Sequence, residues 1–161
     1  MSRRPEGPLR RGWTTGACAA AASRAAFEAL HRGTFPDPVH ITLPRGERPA
    51  FALATEARGE SWACAGIVKD AGDDPDVTHG ALIVAHVAPN PAGGIAYRAG
   101  DGVGTVTRPG LQLAVGEPAI NPKPREMIAA AIGEAARLLA FLPMQRSRSP
   151  CLAASNSPDA R

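Results

Sequence analysis

Between Thr14 and Gly33 the chain reads Thr-Thr-Gly-Ala-Cys-Ala-Ala-Ala-Ala-Ser-Arg-Ala-Ala-Phe-Glu-Ala-Leu-His-Arg-Gly, and no other stretch restricts the fold as much. Alanine is the strongest helix former, a threonine hydroxyl at position 14 or 15 can cap the first turn, and Gly33 stands where a left-handed residue would end the helix near His31 or Arg32. The side chains are so small that a neighbouring element can approach closely. Phe27 and Leu30 share a face, while Arg24 and Glu28 form an i,i+4 pair. The Thr14–Gly16 start also leaves backbone N–H groups and the positive end of the helix dipole free for an anion, although simple capping accounts for the same residues.

A second helix is expected after the proline-punctuated run from Gly116 to Arg125. Met127, Ile128, Ala131, Ile132, Ala135, Leu138, Leu139 and Leu142 follow the 3.6-residue repeat and predict one face packed on a sheet. Pro124 suits the first turn, and Lys123 and Arg125 flank it. Strands fill the middle. Val39 to Leu43 alternates, with His40 and Thr42 on the solvent face, and Pro44 to Arg48 reads as a turn into a partner strand near Pro49 to Thr55. Trp62 to Val68 and the apolar Ala81 to Val87 follow, the latter expected to be central and buried on both faces, with His86 a core or rim residue. Ile95 to Arg98 is a short strand. A chain of 161 residues supports one such domain. The expected fold is α+β, a mixed β-sheet with two packed helices in a single domain over residues 11–142. A flexible lead-in over residues 1–10 precedes it, and a disordered C-terminal tail over 143–161 follows.

Several classes of function are excluded. The net charge of +3 arises largely from arginines near the two ends, so no nucleic-acid footprint is expected. The three cysteines, Cys18, Cys64 and Cys151, are far apart and form no C-x-x-C pair, which fits a reducing cytoplasm better than a disulfide framework or a zinc site. No apolar run is long enough for a bilayer, and the arginine pair and Gly16-Ala17-Cys18 near the start lack the hydrophobic context of export signals. The Gly100–Gly104 run has the wrong spacing for a dinucleotide fingerprint and leads into Thr-Val-Thr-Arg-Pro rather than a helix. It remains a turn at which backbone can approach a ligand.

The chemistry is concentrated in Val68-Lys69-Asp70-Ala71-Gly72-Asp73-Asp74-Pro75-Asp76-Val77-Thr78-His79-Gly80, a loop between two expected strands. Charged runs are commonly solvated turns, and spacing alone gives no more here. The register of an EF-hand fails, there is no G-x-S-x-G elbow, and no cysteine stands beside a base, so no metal ligand set is assigned to the protein.

Four motifs in order carry a resemblance. Arg11 to Ala22, Val68 to Gly80, Gly102 to Leu111 and Gly116 to Arg125 together resemble the cobalt-precorrin-5B C1-methyltransferase family of cobalamin biosynthesis, CbiD, over about Arg11 to Leu142. The resemblance implies transfer of a methyl group from S-adenosylmethionine to C1 of a cobalt-corrin tetrapyrrole. It also implies longer relatives, with a second α/β part that this chain lacks. The substrate's carboxylates call for N–H groups and cations, which makes Thr14, Thr15, Gly16, Lys69, Lys123 and Arg125 candidates for binding it, together with Gly102, Gly104 and Thr105 of the glycine-rich turn. Asp70, Asp73 and Asp76 are candidates to face the donor's sulfonium or ribose, and Asp74 and His79 for catalysis, His79 as a proton carrier. The partners expected are the corrin substrate and either further copies of the chain or a separate C-terminal half, with no membrane. The alternatives are a truncated, non-catalytic corrinoid-binding module, an inactive fragment, or an unrelated anion-binding domain.

Overall fold

The computed structural model describes residues 7–109, 113–141 and, for the backbone, 152–157. In chain order the elements are α1 (Thr15–Arg32), β1 (Val39–His40), β2 (Ala50–Phe51), β3 (Thr55–Arg58), β4 (Ala63–Val68), β5 (Leu82–Val87), β6 (Ile95–Tyr97), α2 (Pro122–Ala140) and β7 (Leu152–Ser157).

The ends of α1 are those the sequence marks. Thr14 is extended, its hydroxyl oxygen accepts the Ala17 N–H at 3.1 Å, and Gly33, at φ 82°, donates its N–H to the Ala29 carbonyl at 2.8 Å. Every residue from Gly16 to Ala29 is buried, so this helix has no solvent face along most of its length. Alanine makes this possible, because it adds so little bulk that the sheet and α2 can both approach. The apolar stripe of α2, with Ile128, Ala131, Ile132 and Ala135 buried, lies against α1. The expectation that α2 packs on the sheet is therefore corrected. A helical period shows that one face is buried and says nothing about its partner.

The main sheet has the order β3-β4-β5-β7-β6, antiparallel throughout except for the parallel pair β6–β7, and is therefore mixed as expected. Ile83, Ala85 and Val87 of β5 are buried, whereas Val84 is half-buried and His86 is exposed and stacked on Trp62 at 5.2 Å between ring centroids. Burial of β5 on both faces thus holds only at its start, where Leu82 and Ile83 are both buried, and gives way to alternation towards Val87. His86 is the rim residue anticipated.

The hairpin β1–β2 forms, with Val39 opposite Phe51 and His40 opposite Ala50, and His40 faces solvent. It stands apart from the main sheet. Of the partner strand expected near Pro49 to Thr55, Ala50–Phe51 pairs in the hairpin, whereas Thr55 opens β3, which pairs with β4, the crossover being marked by the Ala54 N–H donating to the Gly66 carbonyl at 2.8 Å. Within the expected tail, Leu152–Ser157 runs as a strand between β5 and β6. The rest of that tail, residues 1–6 of the lead-in and 110–112 of the glycine-rich motif lie outside the described residues.

Phe27, Ile41, Ile128, Val39 and Val87 are the largest fully buried apolar side chains. Each contributes roughly 1.5–3 kcal/mol by leaving water. An ion network centred on buried Arg24 and reaching the surface at Arg48 ties three elements together. Arg24 on α1 donates to Glu28 at 2.9 Å and stands 3.3 Å from Glu134 on α2, which also holds Arg48 of the hairpin turn at 3.2 Å. Among the described residues no helix is long and apolar enough to cross a membrane.

Candidate functional site

The site begins where two stretches of backbone cross. Trp13 N–H donates to the Asp70 carbonyl at 2.7 Å, Asp73 N–H to the Arg10 carbonyl at 2.9 Å, and Arg11 bridges Gly72. Contact this close requires glycine on both sides. A Cβ on Gly12 would stand 1.8 Å from the Ala71 carbonyl carbon, and one on Gly72, whose φ is 65°, would stand 2.2 Å from the Arg10 oxygen. The Arg10 guanidinium grips both oxygens of Asp70, at 2.5 and 2.9 Å, while the Arg10 backbone N–H donates to the Asp73 carboxylate at 2.5 Å. The Arg10 hydrogen bonds and the Gly72 N–H hold the Asp70 carboxyl down at about 2. Arg10, placed by the sequence in a mobile lead-in, is anchored here and sets the entry of α1 beside the Asp-rich loop.

Lys69 is buried, and its Nζ meets the Asp76 carboxylate and the Thr78 hydroxyl, the latter at 2.5 Å. Asp76 also accepts the Thr78 N–H at 2.8 Å and its hydroxyl at 2.6 Å. Lys69 first, then these Thr78 donors, hold the Asp76 carboxyl far below the usual range. His79 braces the loop, its Nδ1 accepting the Ala71 N–H at 3.0 Å. The neutral ring therefore carries its proton on Nε2. The Asp74 carboxylate makes no hydrogen bond or ion pair among the described residues.

Around the start of α1 lies a cleft of about 740 Å³. Its walls come from the Arg11–Ala17 segment, the hairpin turn at Leu43–Glu47, Lys69 with Asp76, and the first turns of α2 through Lys123, Pro124 and Met127. Four cationic side chains, Arg11, Arg45, Lys69 and Lys123, face two carboxylates, and both carboxylates are paired: Asp76 with Lys69 and Glu47 with Arg11 at 2.9 Å. The surplus is positive. A second cleft of about 390 Å³ shares Thr15, Gly16 and Pro124 and adds Thr78, Gly102, Gly104 and Asn121, none of them charged. The starts of the two helices meet between these clefts, where a Cβ on Gly16 would come within 3.3 Å of Pro124.

The structure thus gathers Thr14, Thr15, Gly16, Lys69, Asp76 and Lys123 in the larger cleft and Gly102 and Gly104 in the smaller. Other candidates are placed elsewhere. Arg125 is a strut, donating to the Ile120 carbonyl at 2.8 Å and the Pro118 carbonyl at 2.9 Å with its guanidinium over Tyr97. Thr105 bridges Pro118, Asp70 and Asp73 are held by Arg10, and Asp74 and His79 are exposed on the loop, lining neither cleft. Sequence reasoning missed Trp13, Arg45, Glu47 and Met127. Arg45 and Glu47 read as turn polarity, and only the hairpin folding back over α1 brings them to the cleft.

Cys18 is buried, and burial pushes its thiol up to about 11, so it supplies no thiolate nucleophile. Among the described residues no group of three or more His, Cys, Asp or Glu could hold a metal ion.

The sequence model of the CbiD family matches residues 2–141. The cobalt-precorrin-5B C(1)-methyltransferase of Rhodospirillum rubrum is 71% identical over 121 residues, which is 74% of this chain and 34% of that protein. Proteins of the same name from Halorhodospira halophila and Agrobacterium fabrum are 64% and 66% identical, over 81% and 80% of this chain and 35% and 34% of their own lengths. The chain spans about a third of the length of the curated relatives it matches. No solved structure matches it.

Proposed function

The chain belongs to the CbiD family, and from that premise we propose that it takes part in S-adenosylmethionine-dependent methylation of C1 of cobalt-precorrin-5B, its large cleft receiving the corrin. The observation that carries this is the charge of the cleft. Four cations line it, both of its carboxylates are already paired, and the Thr14–Ala17 start of α1 forms part of its wall. A corrin precursor fringed with acetate and propionate groups is complementary to such a surface.

In the transfer, the electron pair of the corrin's C1 forms the new carbon–carbon bond as the sulfonium–methyl bond breaks and its pair stays on sulfur as a thioether. Such a displacement depends mainly on alignment and on electrostatics. Lys69, Thr14, Thr15, Gly16 and Lys123 serve to bind and orient, and Gly102, Gly104 and Thr105 bring backbone to the substrate's edge. Arg125 acts at one remove, holding the Pro118 and Ile120 carbonyls and so the segment beside the smaller cleft. Of the two residues assigned to proton transfer, Asp74 has a free carboxylate, whereas His79 Nδ1 is occupied by the Ala71 N–H and its Nε2 is a donor. Both residues are exposed on the loop and line neither cleft, so either acts as base only when the loop carries it to the substrate, and His79 must also turn before it can accept a proton.

The donor fits the described residues less well than the substrate does. Asp70, Asp73 and Asp76, assigned to it, are held by Arg10 and Lys69, so a sulfonium or ribose would have to share them. This favours a second reading, a corrin-binding module that does not transfer methyl unaided.

One experiment separates the two. The purified chain is incubated with cobalt-precorrin-5B and S-adenosylmethionine, with the Rhodospirillum rubrum relative in a parallel tube, and the corrinoid is weighed by mass spectrometry. A gain of one methyl group supports the enzyme. Binding without gain supports the module, and absence of binding refutes both.

A further inference from the structure

The turn between β1 and β2 is short and internally braced. Leu43 N–H donates to the Glu47 carbonyl and Gly46 N–H to the Leu43 carbonyl, both at 2.8 Å, with Gly46 at φ 88°. Val39, Ile41 and Phe51, all buried, fasten the hairpin beneath it. Its three charged side chains have different fates. Arg48 pairs with Glu134 on α2 at 3.2 Å and lines no part of the large cleft. Glu47 lines the cleft and holds Arg11 at 2.9 Å. Arg45 also lines it, exposed, and makes no ion pair or hydrogen bond among the described residues.

A braced turn thus holds one guanidinium over the cleft with no protein partner, in the same cleft as a second whose partner is a carboxylate. Guanidinium presents a planar fork of N–H donors that matches a carboxylate, which an ammonium does not. The lysines of the cleft cannot take this role. Lys69 is buried and committed to Asp76 and Thr78, and Lys123, on α2, presents a point charge.

We propose that Arg45 and Arg11 form a carboxylate-recognition subsite on the hairpin side of the cleft, Arg45 taking a peripheral carboxylate of the corrinoid directly and Arg11 exchanging Glu47 for another. The inference rests on the corrin reading of the cleft and adds which side chains discriminate acid from ester or amide at the substrate's edge. No covalent step is involved. Glu47 acts as a stand-in for the ligand, keeping Arg11 oriented until a carboxylate replaces it.

The test uses cobyrinic acid and its fully methylated ester as probes, with dissociation constants measured by calorimetry at low salt. Arg45→Gln is expected to weaken binding of the acid roughly fivefold to tenfold and to leave the ester unchanged. Arg48→Gln removes the same charge from the same turn and is expected to leave the acid within about twofold of the parent chain. Equal losses in the two variants would mean that only net charge matters, and would overturn the subsite. Unchanged binding of the acid by Arg45→Gln would overturn it too, while leaving the corrin reading standing. If the parent chain binds neither probe, the corrin reading falls and the subsite falls with it. Arg45 has no partner to lose, so its variant is expected to keep the parent's circular dichroism.

Discussion

Gly12→Ala is expected to force apart the two backbones on which the cleft is built. The new Cβ would stand 1.8 Å from the Ala71 carbonyl carbon, 2.1 Å from its oxygen and 2.3 Å from the Gly72 nitrogen. Non-bonded carbons rest at roughly 3.5 Å, so the chains must part by about 1.5 Å, and backbone atoms cannot rotate out of the way. A shift of that size breaks the hydrogen bonds from Trp13 to Asp70 and from Asp73 to Arg10 and disturbs the Arg10 ion pair. At roughly 0.5–1.5 kcal/mol for each bond, with residual strain added, the loss is about 2–4 kcal/mol. That is a large part of a domain stability of roughly 5–15 kcal/mol. Gly46→Ala is the control, since its Cβ would meet nothing within 4 Å and only its φ of 88° is unfavourable, at roughly 1–2 kcal/mol. Urea unfolding followed by tryptophan fluorescence should show the Gly12→Ala midpoint lower by about 1–2 M, and hydrogen exchange should show the Trp13 and Asp73 amides deprotected. If Gly12→Ala falls no further than Gly46→Ala and the Trp13 amide stays protected, the crossing does not set the entry of α1.

Other expectations concern charge and reactivity. The Asp70 carboxyl has a folded value of about 2 against an ordinary 3.8; its grip on Arg10 therefore contributes fully above about pH 4 and is lost as the pH falls towards 2, which carboxyl-carbon NMR would follow and Asp70→Asn would abolish. Cys64, half-buried, should be alkylated at pH 8 well before Cys18, whose thiol burial holds up at about 11; peptide-resolved mass spectrometry that finds Cys18 modified first would contradict the packing of α1. Arg24→Met should cost about 3 kcal/mol in urea titrations, the lower end of the range for a broken buried pair, because Glu28 and Glu134 keep Arg32 and Arg48. Glu47→Gln should tighten binding of cobyrinic acid, since it frees Arg11 and removes a negative charge from the cleft; weaker binding in calorimetry would contradict the exchange of Glu47 for ligand.

Local signals were legible wherever a short-range rule applied. Thr14 and Gly33 bound α1, the 3.6-residue repeat marks α2, and the alternation at Val39 to Leu43 marks a hairpin whose His40 faces water. Of the residues proposed from the sequence, those that meet in the clefts are the Thr14–Gly16 turn, Lys69, Asp76, Gly102, Gly104 and Lys123, all within the four motifs, whereas Arg45, Glu47 and Met127 line the larger cleft from outside them. Arg125 illustrates the limit. Its type and its place at the start of a helix suit an anion, yet the Pro118 and Ile120 carbonyls are nearer and take its donors. The same holds for Asp70 and Asp73, whose partner Arg10 lies about sixty residues away in a segment that reads as a loose end.

The sequence by itself determined the two helices, the caps of α1, most of the strands, the α+β class and the family, because these depend on neighbours within a few residues or on motifs read in order. Only the tertiary structure decided that α2 lies on α1 rather than on the sheet, that Gly12 and Gly72 are glycines because two backbones touch, and that the hairpin turn carries Arg45 and Glu47 to the mouth of the cleft. The physical reason is common to all three. A hydrophobic face, a missing side chain and an exposed charge each state a local requirement, and which distant residue satisfies it depends on how the whole chain packs.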